Sequence, residues 1–140
     1  MKKALLLLSI TLTFVLTFGM NPQPASAEYY KYVCYEGSEC NAVNLYSFGT
    51  PISGYSSPIW ASSGTTMHYG FTTSSDSVFH VGIRIVDANG TGVTSWRYAP
   101  QYGGDNFGFV GAPKTGYYRL QFSCGDTTSG RCKGNGSIWR

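Results

Sequence analysis

The sequence predicts an all-β protein, a two-sheet antiparallel sandwich or jelly roll of about eight short strands. Three observations support this fold class. Apolar residues recur at every second position over 67–72, 78–87 and 117–124. Turn residues such as glycine, proline and asparagine separate these segments, and no sustained helical period follows residue 27. The chain also contains four cysteines, so we expect the sandwich to be stabilised by disulfide bonds.

The first 27 residues have the plan of a bacterial export signal. Lys2 and Lys3 precede an uncharged apolar run, and the small residues at 25–27 form a cleavage motif. The apolar run is shorter than the roughly 20 residues that a membrane-spanning helix needs. The sequence therefore predicts a signal peptide over 1–27, cleavage before Glu28 and one secreted, extracellular domain over 28–140, with no membrane insertion of the mature chain.

The strands are predicted in order from alternation and turn signals. They cover 29–34, 42–48, 59–61, 67–72, 78–87, 93–98, 106–110, 117–124 and 135–139. The Asn89-Gly90 pair predicts a hairpin between the fifth and sixth of them, because this dipeptide suits tight turns. Glycine, proline and serine between residues 49 and 63 predict loops around the short strand at 59–61.

The cysteine count indicates two disulfides in an exported chain. Three pairings are possible, and we favour Cys34–Cys40 with Cys124–Cys132 because each bond then encloses a short polar segment. The pairings that would tie the first strand to the last stay open. The spacing lacks a zinc knuckle and both histidines are distant in sequence, so we expect neither a metal nor another cofactor.

The charge balance argues against one class of partner. Removal of Lys2 and Lys3 from the ten basic residues leaves eight, against seven acidic ones. Nucleic-acid binding is therefore not expected, since it requires a basic stripe. All eleven tyrosines and all three tryptophans follow residue 27, so some aromatic rings must lie on the surface.

Two segments resemble a known domain type. Residues 81–90 (VGIRIVDANG) and 109–122 (FVGAPKTGYYRLQF) resemble the bacterial pre-peptidase C-terminal type of jelly-roll domain, over roughly 64–124. That resemblance implies a sandwich fold and a non-catalytic accessory role on secreted enzymes. The triplet Trp96-Arg97-Tyr98 is similar to the one that small secreted bacterial α-amylase inhibitors present, which implies an inhibitor as an alternative function.

No catalytic constellation is expected. His68 and His80 fall at polar positions of alternating strands, and the carboxylates fall in turns or in a disulfide loop. The segment 87–92 begins like a calcium loop, but Tyr98 stands where the distal acidic ligand belongs. The sequence therefore predicts a protein that is not an enzyme.

An aromatic surface is the remaining candidate for a site. Tyrosine, tryptophan and arginine are the usual residues for stacking on sugars or anchoring a protein partner. The predicted binding residues are Trp96, Arg97, Tyr98, Tyr102, Tyr117 and Arg119. Alternation sends Trp96 and Tyr98 to one face and Arg97 to the other. Trp96 fits the surface or the core, whereas Trp60 and Trp139 are expected in the core. We expect a secreted binding protein that recognises a protein or a cell-surface glycan; the alternative is a secreted antimicrobial or enzyme-inhibitor protein.

Overall fold

A computed structural model describes Cys34 and residues 39–45, 53–125 and 131–140. The predicted signal peptide, the predicted strand 29–34 apart from Cys34, and the end of the predicted strand 42–48 lie outside the described residues. In the described parts of the chain, no helix is long and apolar enough to span a membrane.

The described residues form nine strands in two antiparallel sheets, which confirms the predicted sandwich. One sheet has four strands in the order β1-β9-β4-β7, and the other has the order β2-β8-β5-β6 with β3 also paired to β8. The strands are β1 (Cys40–Leu45), β2 (Ser53–Tyr55), β3 (Ile59–Ala61), β4 (Thr66–Thr73), β5 (Val81–Asp87), β6 (Arg97–Ala99), β7 (Asp105–Gly111), β8 (Gly116–Cys124) and β9 (Gly134–Trp139).

The core lies between the two sheets and follows the predicted alternation. Every second side chain of the central strands points inward, where apolar area leaves water. These inward residues are 3% exposed or less; among them are Met67, Tyr69, Phe71, Val81, Ile83, Ile85, Tyr118, Leu120, Phe122 and Ile138. The intervening residues of β5 and β8 therefore face the other way, onto the outer surface of the five-stranded sheet.

The predicted hairpin after β5 is present, but its turn differs from the expected two-residue loop. The Gly90 N–H donates to the Asp87 carbonyl at 3.0 Å, and the Asp87 N–H donates to the Thr91 carbonyl at 2.9 Å. Gly90 has a φ of 80°, and Asn89 is not in the positive-φ region. This geometry is a three-residue loop whose last residue adopts the left-handed conformation, a role for which glycine is best suited.

The return strand is shorter than the predicted 93–98. Gly92 makes an isolated bridge to Val86, and regular pairing resumes when Arg97 pairs with Ile83. Between them the Thr94 hydroxyl accepts the Ile85 N–H at 3.0 Å. The side chain thus satisfies a backbone donor where the ladder is interrupted. The N–H groups of Val93 and Thr94 both donate to the Ile85 carbonyl, so two residues oppose one, which is the geometry of a bulge.

Both favoured disulfides are present. Cys34 is bonded to Cys40 and Cys124 to Cys132, with Cα–Cα distances of 5.4 Å and 5.8 Å. The second bond joins the end of β8 to the segment before β9, so it links the five-stranded sheet to the four-stranded sheet. Local pairing holds because each short polar segment brings its two cysteines within normal disulfide range.

Candidate binding face

The outer surface of the five-stranded sheet carries a group of aromatic and hydrogen-bonding side chains, which we call the aromatic face. Strands β2, β3, β5, β6 and β8 and the segment before β6 supply its members. The aromatic face consists of Tyr55, Trp60, Trp96, Tyr98 and Tyr117, with Arg84, Arg119 and Gln121 between the rings. Four of its rings are about half exposed, at 43–53%, and Trp96 is partly exposed.

A connected row of side chains crosses this face. Tyr55 pairs in register with Gln121, and Gln121 with Arg84. Arg84 donates from Nε to the Gln121 Oε1 at 2.7 Å, and the Gln121 Nε2 donates to the Tyr55 hydroxyl at 3.2 Å. The Arg84 guanidinium lies over the Trp96 ring, 4.6 Å from its centre. Since adjacent strands are about 4.8 Å apart, the row holds polar groups and two rings in fixed positions across the sheet.

A glycine allows two rings to lie close to the sheet. A Cβ added to Gly82 would lie 3.2 Å from the Tyr98 ring and 3.3 Å from the Trp96 ring. Gly82 pairs with Tyr98 across β5 and β6, and the exposed His80 contacts Tyr98 edge to face at 5.2 Å. Both rings therefore rest on backbone rather than standing away from it, which leaves a broad, shallow surface.

A second pair of rings lies towards the other end of β8. Trp60 and Tyr117 are register partners, and their ring centres are 4.8 Å apart in a T-shaped arrangement. Tyr117 is four residues before Gln121 on the same side of β8, which corresponds to about 13 Å along a strand. Arg119 lies between them. The aromatic face thus offers two separate aromatic surfaces with an arginine between.

Arg119 lies beside an unusual part of β5. Its register partner Val86 is on the same side of β5 as Arg84 and yet is 0% exposed, although it is not part of the central core. The Nε atom of Arg119 is buried and has no hydrogen-bond partner. Native proteins seldom leave a buried charged donor unsatisfied, so this atom distinguishes the position from an ordinary surface arginine.

The structure brings four of the six predicted binding residues to this face: Trp96, Tyr98, Tyr117 and Arg119. Arg97 lies on the opposite side of β6, where its Nε donates to the hydroxyl of the buried Tyr69 at 3.2 Å. The Trp-Arg-Tyr triplet therefore does not present its side chains as one surface. Tyr102 lies in the turn after β6, with a φ of 59° and a 60% exposed side chain, and its N–H donates to the Ser77 carbonyl.

Sequence reasoning missed four members of the face. Arg84 and Gln121 occupy polar positions of alternating segments, yet nothing in their spacing indicates that they meet across two strands. Tyr55 lies in β2, a strand within a stretch predicted as loop. Trp60 and Trp139 were expected in the core, and this was wrong: Trp60 is 43% exposed, and none of the three tryptophans belongs to the buried core.

A second aromatic cluster lies on the four-stranded sheet. Phe107 and Phe109 on the outer strand β7 are 63% and 70% exposed. His68 stacks on Trp139 at 5.7 Å and contacts Phe109 at 6.2 Å. His68 belongs to this cluster, whereas His80 contacts Tyr98 on the five-stranded sheet. The two histidines therefore lie on different sheets. In the part of the chain that the structure describes, no group of three or more His, Cys, Asp or Glu side chains is placed to hold a metal ion.

Three shallow cavities meet near Asp87 at the hairpin, with volumes of about 420, 260 and 210 Å³. Asp87 Oδ1 accepts the N–H groups of Asn89 and Thr91, and Oδ2 lies 3.5 Å from the Lys114 Nζ. The Thr91 N–H, with the smaller effects of Asn89 and Lys114, holds the pKa of Asp87 below its ordinary value. The carboxylate is therefore ionised and fully engaged in organising the turn, which is a structural role.

Comparison with known proteins bears on the fold. No protein-family model matches the chain, and no curated protein matches it. One similar solved structure is the pre-peptidase C-terminal domain of a collagenase from Bacillus anthracis, at a TM-score of 0.44 and 10% identity over 72% of this chain and 86% of that chain. A domain of the type that residues 81–90 and 109–122 resemble is thus among the similar solved structures.

Two further solved structures are similar. The C-terminal domain of EclA, a sugar-binding protein, has a TM-score of 0.40 and 10% identity, with 84% of each chain covered. A carbohydrate-binding module of Cellvibrio mixtus lichenase 5A, in complex with cellotriose, has a TM-score of 0.37 and 12% identity over 81% of this chain and 86% of that chain. At such identities the likeness concerns the β-sandwich fold alone.

Proposed function

We propose that this chain is a secreted, non-catalytic carbohydrate-binding protein whose aromatic face stacks on sugar rings. The observation that carries the proposal is the alternation of exposed rings with hydrogen-bonding side chains on one sheet surface. Tyr98 forms one stacking surface and Trp60 with Tyr117 the other. Trp96 holds the Arg84 guanidinium in place, and Arg84 and Gln121 supply donors and acceptors between the two surfaces.

The chemistry of a sugar ring explains why both kinds of side chain are needed. Its C–H groups form an apolar patch that packs on an aromatic ring, and its hydroxyls require hydrogen-bond partners when water leaves. Recognition sites commonly combine apolar area with a few fixed polar groups. The row from Tyr55 to Arg84 has this fixed character, because each polar group already holds its neighbour in place.

The aromatic cluster on the four-stranded sheet fits this role less well. Phe107 and Phe109 expose more ring area than the tyrosines, but a phenylalanine has no polar group to bond a hydroxyl. The described ring contacts of this cluster both involve His68, which lies against Phe109 and stacks on Trp139. We therefore assign the proposed sugar site to the aromatic face and use Phe109 as its control.

The proposed domain comprises residues 28–140, released outside the cell after removal of 1–27. Two disulfide bonds support an oxidising compartment, since such bonds persist mainly in exported proteins. Of the six residues singled out by sequence, Trp96, Tyr98, Tyr117 and Arg119 belong to the proposed site. Arg97 is excluded because its side chain is hydrogen-bonded to Tyr69 on the opposite side of β6. Tyr102 is excluded because it lies in the turn after β6, where its N–H donates to the Ser77 carbonyl.

A glycan array followed by calorimetry with the best-bound oligosaccharide tests the proposal. Tyr98→Ala and Tyr117→Ala should each weaken binding about tenfold or more, as central aromatic contacts do. Phe109→Ala removes an exposed ring from the other sheet and should leave the affinity unchanged. Capture of proteins without any glycan, or equal losses in all three variants, would contradict the assignment.

A further inference from the structure

The ion pairs that the structure shows among its described residues do not include the two arginines of the aromatic face. In the described residues the carboxylates of Asp87, Asp76 and Glu39 form ion pairs elsewhere in the molecule, and neither Arg84 nor Arg119 takes part in them. The partners in those ion pairs are Lys114, Lys133 and Arg140. The aromatic face therefore carries two positive charges that these three carboxylates do not neutralise.

Arg84 is held ready to receive an anion. Its Nε is already committed to Gln121, and its guanidinium is fixed over the Trp96 ring. A guanidinium has five N–H donors, so donors remain after the one bond to Gln121. Because the side chain is ordered before a ligand arrives, little conformational entropy is lost when it binds one.

Arg119 adds an unsatisfied donor beside a cavity. Its Nε is buried without a hydrogen-bond partner, and its side chain lines the cavity of about 210 Å³ together with Tyr55 and Asn89. Arg84 pairs with Gln121, two residues from Arg119 on β8, so the two arginines are diagonal neighbours about 7–8 Å apart. They can contact neighbouring groups of one extended ligand.

Asp87 is an acidic residue that lines the same cavity as Arg119. Both of its oxygens are engaged: Oδ1 by the N–H groups of Asn89 and Thr91, and Oδ2 by Lys114. Its charge is thus paired with a lysine and with backbone donors, whereas the charges of the two arginines are not.

We propose that the glycan bound by the aromatic face is acidic, a polysaccharide whose uronic-acid carboxylates pair with Arg84 and Arg119. This inference rests on the proposed carbohydrate-binding function and specifies its ligand class. An arginine fork matches the two oxygens of a carboxylate and forms short, charge-assisted hydrogen bonds with it. The rings stack on the sugar units, and the arginines select those that carry a carboxylate.

Matched polymers give the test. The purified, disulfide-bonded protein is compared by calorimetry on polygalacturonate, alginate and hyaluronate, each against its carboxyl-reduced form, which keeps the chain but loses the charge. At least one acidic polymer should bind about tenfold or more tightly than its reduced form. Raising salt from about 50 mM to about 500 mM should narrow that difference, since part of the attraction is electrostatic.

Variants assign the preference to the two arginines. Arg84→Gln and Arg119→Gln should each reduce the preference for the acidic polymer, with circular dichroism confirming that both remain folded. Arg140→Gln makes the same charge change after β9 of the four-stranded sheet, at the ion pair with Glu39, and should retain the preference.

The possible results distinguish the proposed acidic ligand from the proposed carbohydrate-binding function. Equal binding of acidic and reduced polymers, or a preference that survives in both arginine variants, would overturn the acidic ligand. If Tyr98→Ala still abolished that binding, the carbohydrate site would stand. Failure of every glycan, neutral and acidic, would remove the proposed function and the acidic ligand together.

Discussion

Arg84 and Trp96 form a cation–π pair on the outside of the five-stranded sheet, with the guanidinium 4.6 Å from the ring centre. Arg84 is in turn tied to Gln121 by a hydrogen bond of 2.7 Å. A ring that is fixed on one side by a cation and that rests on Gly82 has few alternative rotamers. Trp96 is therefore ordered although it lies outside the core, so its removal should lower the free energy of unfolding less than removal of a core residue does.

Trp96→Ala should lower stability by about 1–2 kcal/mol, because it removes a cation–π contact and part of a half-buried ring. Leu120→Ala should cost about 2–5 kcal/mol, because it opens a cavity in the core, where Leu120 is 0% exposed. Urea unfolding of both variants measures the difference. A loss for Trp96→Ala as large as that for Leu120→Ala would place the tryptophan in the core.

Gly82→Val should disturb the aromatic face without unfolding the protein. Even a Cβ would lie 3.2–3.3 Å from the Tyr98 and Trp96 rings, so the larger side chain must lift both from the sheet. We expect a changed tryptophan fluorescence spectrum and a several-fold weaker glycan affinity. The melting temperature should fall no further than in Trp96→Ala, since valine suits strands.

Gly111→Val is the matched control for this change. Gly111 ends β7 on the other sheet, and a Cβ there would have no atom within 4 Å. Its fluorescence and glycan affinity should equal those of the unmodified protein. Equal effects of the two substitutions would show that Gly82 has no special part in placing the rings.

The sequence was sufficient for the sandwich because its information is local. In 67–72, 78–87 and 117–124 the alternation of apolar and polar residues shows which side chains face the core and which face solvent. The local disulfides likewise follow from short separations. A shift of this pattern by one residue would expose Leu120 and bury Arg119, so the pattern strongly determines which face of the strand is buried.

The binding face could be predicted only in part because it depends on which strands are neighbours. Arg84 and Gln121 are 37 residues apart and meet only because β5 lies beside β8. Arg97 was drawn into the predicted site by its neighbours in sequence, although alternation already placed it on the other side of β6. Register between distant strands does not follow from periodicity within each strand.

The two disulfides should differ in their resistance to reduction. Cys124 and Cys132 are 4% and 2% exposed, whereas Cys34 and Cys40 are partly exposed. Exchange requires a thiolate to reach a sulfur, so the exposed bond should open first. Mild reductant followed by alkylation and peptide mapping should label Cys34 and Cys40 before the other pair. Simultaneous labelling of all four would contradict this order.

Loss of the Cys124–Cys132 bond should have the larger effect on stability. Removing a native disulfide from a small exported domain typically costs about 2–5 kcal/mol. Cys124→Ala with Cys132→Ala should therefore lower the melting temperature clearly, because the bond connects the ends of β8 and β9 at the core. The double alanine variant at Cys34 and Cys40 is the comparison, and it should unfold at a higher temperature than the first.

Stability should fall in acid, and Asp87 should account for part of the fall. Hydrogen bonds from Thr91 and Asn89 and the ion pair with Lys114 lower the pKa of Asp87 from its ordinary 3.8 in the folded protein. Lys133 and then Ser74 lower the pKa of Asp76, and Arg140 lowers that of Glu39. A carboxyl with a depressed folded pKa stabilises the protein above its unfolded pKa, and this contribution is lost as pH falls.

The melting temperature should therefore be steady from pH 8 to about pH 5 and decline below about pH 4. Asp87→Asn removes the ionised group that holds the hairpin turn, so at pH 7 it should melt at a lower temperature than the unmodified protein. The difference between the two should shrink as pH falls through 3.8, because protonation then neutralises Asp87 in the unmodified protein as well. Thermal unfolding followed by circular dichroism at each pH gives the two curves. A difference that stays constant down to the lowest pH would mean that Asp87 acts through shape alone and not through its charge.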